Sequence, residues 1–211
     1  MSAKRRIIVG VAGGSGSGKT TFARKVLEQS RKAGISGTMF SLDNYYRPLG
    51  HLSLEERKAY NFDHPHAIDF ELALEQLHGL RKGETIRQPV YDFKAFTRGP
   101  EPRPMESAQL IIVEGLYALY QKEFLDLYDY KIYVSTGIAT AALRRISRDI
   151  TERGRDVDGA KHQILTTVLP MYEAYVKPTQ RNAHFSINWE GEEIPEKATE
   201  GLVRMVRDIA R

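Results

Sequence analysis

The sequence contains no cysteine, no long apolar run and no internal repeat, and each absence removes a class of protein. Without cysteine there is no disulfide framework, no thiolate metal site and no cysteine nucleophile, and the composition fits a reducing cytoplasm. The longest apolar stretches, residues 7–12 and 110–113, fall far short of the ~18 residues that span a bilayer, so they read as buried strands and no membrane partner is expected. Lys4, Arg5 and Arg6 precede the first stretch as the basic region of a signal peptide would. That stretch breaks at Gly13 into a glycine-rich loop with no small-residue cleavage site, so it reads as the first strand. The rest is ordinary globular material: 211 residues, 41% hydrophobic and 27% charged, enough for one α/β domain with a small insertion. The net charge of +4 is modest and suits an anionic small ligand as well as it suits nucleic acid.

Strand-like and helix-like segments alternate along the chain, the pattern of a mostly parallel sheet covered by helices. Residues 7–11, 38–42, 110–113, 131–134 and 185–187 read as strands, the first a central one buried on both faces. Helices are expected over 20–33, 53–58, 139–152, 162–175 and from about 195 onward. Ser53 and Glu56 have capping-box spacing, and Phe70, Ala73, Leu74, Leu77 and Leu80 form a helical stripe that Gly83 stops. Residues 85–97, followed by Gly99-Pro100 and by Pro102 and Pro104, look like a projecting strand pair. The expected organisation is a single domain over 1–211, with a hairpin inserted at about 85–104 and a lid at about 144–170.

Gly13-Gly14-Ser15-Gly16-Ser17-Gly18-Lys19-Thr20 matches G-x-x-x-x-G-K-[ST] in full, between a predicted strand and a predicted helix. Backbone N–H groups at such a loop and helix N-terminus converge on a phosphate. Lys19 adds a point charge toward the β- and γ-phosphates, Thr20 can reach Mg²⁺, and Thr21 is counted with the nucleotide-binding residues. The loop does not separate kinases from GTPases or motor ATPases. Asn-Lys-x-Asp, which usually accompanies guanine, does not occur, so ATP is the expected donor with GTP left open.

A kinase for a small acceptor needs one carboxylate to take the acceptor's proton and another to hold the metal. Asp43 and Glu114 each end a predicted strand, at the edge where ligands bind in open α/β sheets, although either could equally be a cap or turn residue. Arg144, Arg145, Arg148, Arg153 and Arg155 fall within twelve residues. Arg145 and Arg148 share a helix face and can close over the phosphate loop; the plainer alternative is a solvated face paired with Asp149 and Glu152. Acidic residues interrupt this run and no aromatic platform accompanies it, so no nucleic-acid partner is expected.

Taken in order, several motifs resemble the uridine kinase/phosphoribulokinase family, and within it the uridine-cytidine kinases. They are the phosphate loop, Asp43-x-x-Tyr46-Arg47, Asn61-Phe62-Asp63-His64-Pro65, Pro89-Val90-Tyr91-Asp92-Phe93 and Val113-Glu114-Gly115. Arg145-x-x-Arg148-Asp149-x-x-Glu152-Arg153-Gly154-Arg155-Asp156 and Pro170-Met171 through Val176-x-Pro178-Thr179 complete the set, which runs from about residue 7 to 187. The resemblance implies an α/β fold: a P-loop NTPase-type parallel sheet covered by helices, with an inserted β-hairpin and a helical lid. It implies ATP-dependent phosphorylation of the 5′-hydroxyl of a pyrimidine ribonucleoside, uridine or cytidine, with Mg²⁺.

By the same resemblance Asp43 is the catalytic base, Lys19, Arg148 and Arg153 act on the phosphates, and Thr20, Asp43 and Glu114 surround the metal. Asp63 and Arg145 hold the ribose hydroxyls, Arg155 and Gln163 help hold the nucleoside, and Phe62, Tyr91 and Phe93 form the base pocket with Phe96 beside them. Such enzymes are commonly tetramers, which implies a homo-oligomer. Phe96 stands where they carry histidine or tyrosine, and it cannot hydrogen-bond the base's 4-substituent. His66, Ser135, Gly137, Ala141 and His184 also depart from the pattern. Two rivals remain at this stage: a same-fold kinase of another metabolite, such as a pentose phosphate or a pantothenate-like acceptor, and a nucleotide-binding regulator without turnover. A phosphorylated acceptor needs extra cations beside Asp63, where the neighbours are mainly aromatic, and the paired acids Asp43 and Glu114 argue against a protein without turnover.

Overall fold

Strand β1 (Ile7–Ala12) is apolar on both sides of its pleat: Ile8 faces one core, and Ile7, Val9 and Val11 face the other. In the computed structural model, which describes residues 5–152, 154–191 and 193–210, β1 is the middle strand of a five-stranded parallel sheet. One side of it holds β7 (Leu110–Glu114) and then β2 (Gly37–Ser41); the other holds β8 (Tyr130–Ser135) and then β9 (Phe185–Asn188). Glu114 stands opposite both Ser41 and Val11, so the carboxyl ends of β2, β7 and β1 are level.

Helices α1 (Lys19–Lys32) and α8 (Glu196–Ala210) cover one face, packing Phe22, Val26, Leu202 and Val206 onto Val9, Val11 and Ile112. Helix α3 (Phe70–Lys82) covers the other, with Ala73, Leu77 and Leu80 against Ile8, Phe40 and Ile111. Each large side chain so buried contributes about 1.5–3 kcal/mol. Asp69 caps α3 by accepting from the Leu72 N–H, and Gly83, at φ 98°, ends it where the stripe predicts. The capping box of α2 (Leu54–Ala59) forms as its spacing predicts. The turns at Leu42–Tyr45 and Pro65–Ala67, and α4 (Lys122–Leu125), are too short to leave a periodic stripe and were not anticipated.

Residues 86–105 project as two antiparallel pairs rather than one ladder: β3 (Ile86–Gln88) with β6 (Arg103–Met105), and β4 (Tyr91–Asp92) with β5 (Thr97–Arg98). Pro89, Pro100 and Pro102 lie between the pairs, and a residue without an N–H cannot carry the ladder through.

Helix α5 (Ile138–Thr151) matches the expected span, but the next helix begins at α6 (Val157–Gln163), five residues before the expected start. Asp156 is the reason: its carboxylate caps the helix, accepting from the Gly159 N–H at 2.7 Å. The chain then continues helically through two π turns, Ile164–Val168 and Tyr172–Val176, on either side of α7 (Leu169–Met171), and ends in a 3₁₀ stretch, Lys177–Asn182. Pro170 and Pro178 each lie two residues beyond a π turn, where a ring without an N–H disturbs the helical ladder. Among the described residues no helix is long and apolar enough to cross a membrane.

Candidate active site

The loop leaving β1 turns into α1 through two left-handed glycines, Gly16 (φ 78°) and Gly18 (φ 91°). Both are also tightly covered: a Cβ at Gly16 would lie 2.2 Å from the Ala141 carbonyl oxygen, and one at Gly18 would lie 2.1 Å from the Trp189 ring. Gly18 gives α1 no side-chain cap, and no acidic residue sits in the first turn, so its free N–H groups and its dipole remain for an anion. Lys19 is only 6% exposed. Burial lowers its pKa, while the charges of Glu114 and Asp43 act to raise it. Ser17 is buried with no partner for its hydroxyl among the described residues, and Thr21 lies on the exposed side of α1.

The acids come from the two neighbouring strand ends. Asp43 rides on the turn directly after β2, and Glu114 is the last residue of β7. Glu114 accepts from Ser41 Oγ at 2.6 Å and from Thr20 Oγ1 at 2.9 Å. Burial raises its pKa first and the charge of Asp43 second, with Lys19 opposing both. Two carboxylates and a hydroxyl are hard oxygen donors of the kind Mg²⁺ takes. Among the described residues no group of three or more His, Cys, Asp or Glu is placed to hold a metal ion by itself, so a Mg²⁺ held here would need water or phosphate oxygens as well.

A cleft runs from this edge to the hairpin, with Lys19 and Asp43 at one end and an aromatic wall at the other. Phe62, Tyr91, Phe93 and Phe96 all line it, joined by Tyr46. Phe62 and Phe96 stack at 6.1 Å and 27°, and Tyr91 meets Phe93 edge-on at 5.0 Å. Phe96 is the one non-glycine residue among those described with positive φ, at 54°, and the Arg155 guanidinium lies 5.7 Å over its ring.

Between the two ends stand Asp63 and Arg145, each 5% exposed, with Arg145 Nη1 3.3 Å from Asp63 Oδ1. The same nitrogen donates to Ser15 Oγ at 2.9 Å, and Arg148 Nη2 donates to that oxygen at 3.0 Å, so both arginines reach the phosphate loop. Gln163 accepts from Arg145 Nη2 at 3.4 Å and lines the cleft, as Arg155 does. The solvated-face alternative fails for Asp149, which is fully buried and lies 3.4 Å from Arg145 Nε and 3.5 Å from Arg155 Nη1. Arg144 leaves the group and lies 4.9 Å over the Trp189 ring. Arg153 lies outside the described residues.

Four contributors escaped the sequence reading: Ser41, Tyr46, Asp149 as a buried counter-charge, and Thr167, which donates to Asp63 Oδ2 at 3.0 Å. The i, i+4 spacing of Arg145 and Asp149 carried a signal, but in an arginine-rich run it reads equally as a surface pair.

The profile of the Phosphoribulokinase / Uridine kinase family matches residues 8–194, from β1 to the segment before α8. The chain belongs to this family. Among its relatives is a uridine kinase of Limosilactobacillus reuteri, 40% identical over 206 residues, which are 98% of this chain and 93% of that one. A uridine kinase of Ligilactobacillus salivarius is 42% identical over 205 residues, 97% of this chain and 94% of that one. Phosphoribulokinase from Rhodobacter spheroides shares the fold, with a TM-score of 0.62 at 20% identity over 88% of this chain and 71% of that one. The family match therefore contains the loop, both acids, the aromatic hairpin and the arginines of α5.

Proposed function

We propose that the chain is an ATP-dependent uridine kinase, transferring the donor's γ-phosphoryl group to the 5′-hydroxyl of uridine, with cytidine as a second acceptor. The observation that carries this reading is the Asp63–Arg145 pair, buried midway between the aromatic wall and the phosphate loop. A vicinal diol donates to a carboxylate and accepts from a guanidinium, while aromatic faces suit a flat base. The order of wall, pair and loop matches the order of base, ribose and 5′-hydroxyl in a nucleoside.

The donor's phosphates occupy loop 13–20 and the α1 N-terminus, with the charges of Lys19 and Arg148 spread over the transferring group. Arg155 and Gln163 close on the nucleoside against Phe62, Tyr91, Phe93 and Phe96. The 5′-oxygen forms a bond to the γ-phosphorus, the bond to the β,γ-bridging oxygen breaks, ADP leaves, and the hydroxyl proton ends on Asp43. Thr20, Asp43 and Glu114 would hold Mg²⁺, whose charge stabilises the phosphate oxygens.

A coupled ADP-release assay with uridine, cytidine, a pentose phosphate and pantothenate tests the reading. Turnover is expected with uridine. Asp43→Asn should lower kcat by about 10²-fold or more with a much smaller change in nucleoside KM, because an amide cannot take the proton. Turnover of the pentose phosphate or pantothenate, with neither nucleoside accepted, would replace it.

A further inference from the structure

The two π turns each send one side chain to the loop that carries Asp63. From the first, Thr167 Oγ1 lies 3.0 Å from Asp63 Oδ2 and 3.1 Å from the Gln163 carbonyl. Both neighbours only accept, and the carboxylate's charge makes it the stronger claimant on the single proton. From the second, the Tyr175 hydroxyl lies 3.2 Å from His64 Nε2. His64 Nδ1 accepts the His66 N–H at 3.1 Å, so Nε2 carries the proton and Tyr175 accepts it. Residues eight apart point about 80° apart on an unbroken α-helix. The wider turns take up that difference and let Thr167 and Tyr175 face the adjacent residues Asp63 and His64. Such turns recur where a helix must re-aim side chains for function.

The backbone of Asp63 is held from elsewhere: Tyr117 donates its hydroxyl to the Asp63 carbonyl, and the Asp63 N–H goes to Asn61 Oδ1 at 3.1 Å. Its carboxylate rests on Arg145 and Thr167. Arg145 is shared with Ser15, Asp149 and Gln163, and its contact with Asp63 is long at 3.3 Å. Thr167 has the shorter contact. Asp63, Arg145 and Gln163 line the cleft, and Thr167 does not. The threonine therefore touches the carboxylate without touching the space a nucleoside fills.

We infer that Thr167 is a positioning residue for ribose recognition, its hydroxyl setting the orientation in which Asp63 and Arg145 meet the vicinal diol. The inference rests on the nucleoside reading above. Steady-state kinetics with uridine, 2′-deoxyuridine and 3′-deoxyuridine test it. Thr167→Val keeps the branched shape and should raise the KM for uridine about tenfold, the worth of one charge-assisted hydrogen bond, with kcat and the KM for ATP within about twofold. The preference for uridine over its deoxy analogues should shrink by a similar factor. Thr167→Ser should restore both, and on an Asp63→Ala background the valine change should add nothing. An unchanged uridine KM, an equal rise in both substrates' KM, or an effect that persists without Asp63 would overturn the inference while leaving the nucleoside reading standing. Failure of the unaltered protein to use any ribonucleoside would remove that reading and this inference together.

Discussion

Phe96 joins three properties in one residue: a left-handed backbone, a ring stacked on Phe62 beneath Arg155, and a place in the wall of the cleft. A bulky side chain at positive φ costs on the order of 1–3 kcal/mol and persists only where its surroundings hold it. The ring offers no hydrogen bond to the 4-oxo group of uracil or the 4-amino group of cytosine. An apolar wall separates isosteres by about 10²-fold or less, where a hydrogen-bonding one reaches ~10⁴. Weak choice between uridine and cytidine follows. Phe96→His should raise kcat/KM for one or both nucleosides by roughly tenfold without altering the KM for ATP. Kinetics of both nucleosides on both proteins decide it, and no gain for either would take Phe96 out of base recognition.

Glu114 makes a second prediction at this scale. Its pKa lies above the ordinary 4.5 because burial and the nearby Asp43 charge both oppose ionisation. On acidification the folded protein therefore takes up this proton before the unfolded chain does, so through this group the fold gains stability as pH falls toward 4.5. Metal binding has the opposite sign, since the carboxylate must be ionised to serve as a ligand. The Mg²⁺ concentration for half-maximal activity should rise as pH falls, beginning above 4.5. Activity titrated with Mg²⁺ at descending pH reads this directly, and an onset no higher than that of an exposed glutamate would count against the desolvation.

Among the elements, α5 lies against the phosphate loop so closely that Gly16 has no room for a side chain. Gly16→Ala must both occupy a left-handed conformation, at about 1–2 kcal/mol, and push back the Ala141 carbonyl. The melting temperature should fall by at least about 2–8 °C for a chain of this size. Arg145 and Arg148 move with α5, so kcat and the KM of both substrates should worsen together, in contrast to the one-sided effect expected of Thr167→Val. A thermal scan with two-substrate kinetics separates the cases.

The same level shows what could be read from the sequence. Elements with a clear apolar pattern, such as β1 and α3, were legible, as were the capping box of α2 and the glycine that ends α3. The phosphate loop was legible because its whole chemistry lies in eight consecutive residues. The π turns were not, because the prolines that disturb the ladder also occur in ordinary loops. The place of Asp149 stayed open for a different reason: whether an arginine-aspartate pair is solvated or buried depends on what packs over it, and here that is the rest of the site. Thr167 left no trace, since a single hydroxyl has no period and the adjacent Thr166 offers the same group.

For the whole molecule, the strand order is what unites the chemistry. β7 lies between β2 and β1, so two carboxylates and the phosphate loop emerge from three adjacent, level strand ends. The hairpin then adds Tyr91, Phe93 and Phe96 to an aromatic wall that no strand of the main sheet provides, which is why the cleft needs both.

Trp189 gives this arrangement an optical property. It is the only tryptophan in the chain, 7% exposed, with its ring against Gly18 on one side and the Arg144 guanidinium 4.9 Å away. All indole emission therefore comes from one chromophore touching the turn that receives the donor's phosphates, beside a cation whose field acts on its excited state. Adding ATP should change the emission saturably, and adding uridine alone should change it far less, while Trp189→Phe should leave no signal to follow. A flat titration with ATP, under conditions where turnover proves binding, would mean that the loop takes its ligand without disturbing the ring behind it. Otherwise the unlabelled protein is its own fluorescent sensor for the donor site.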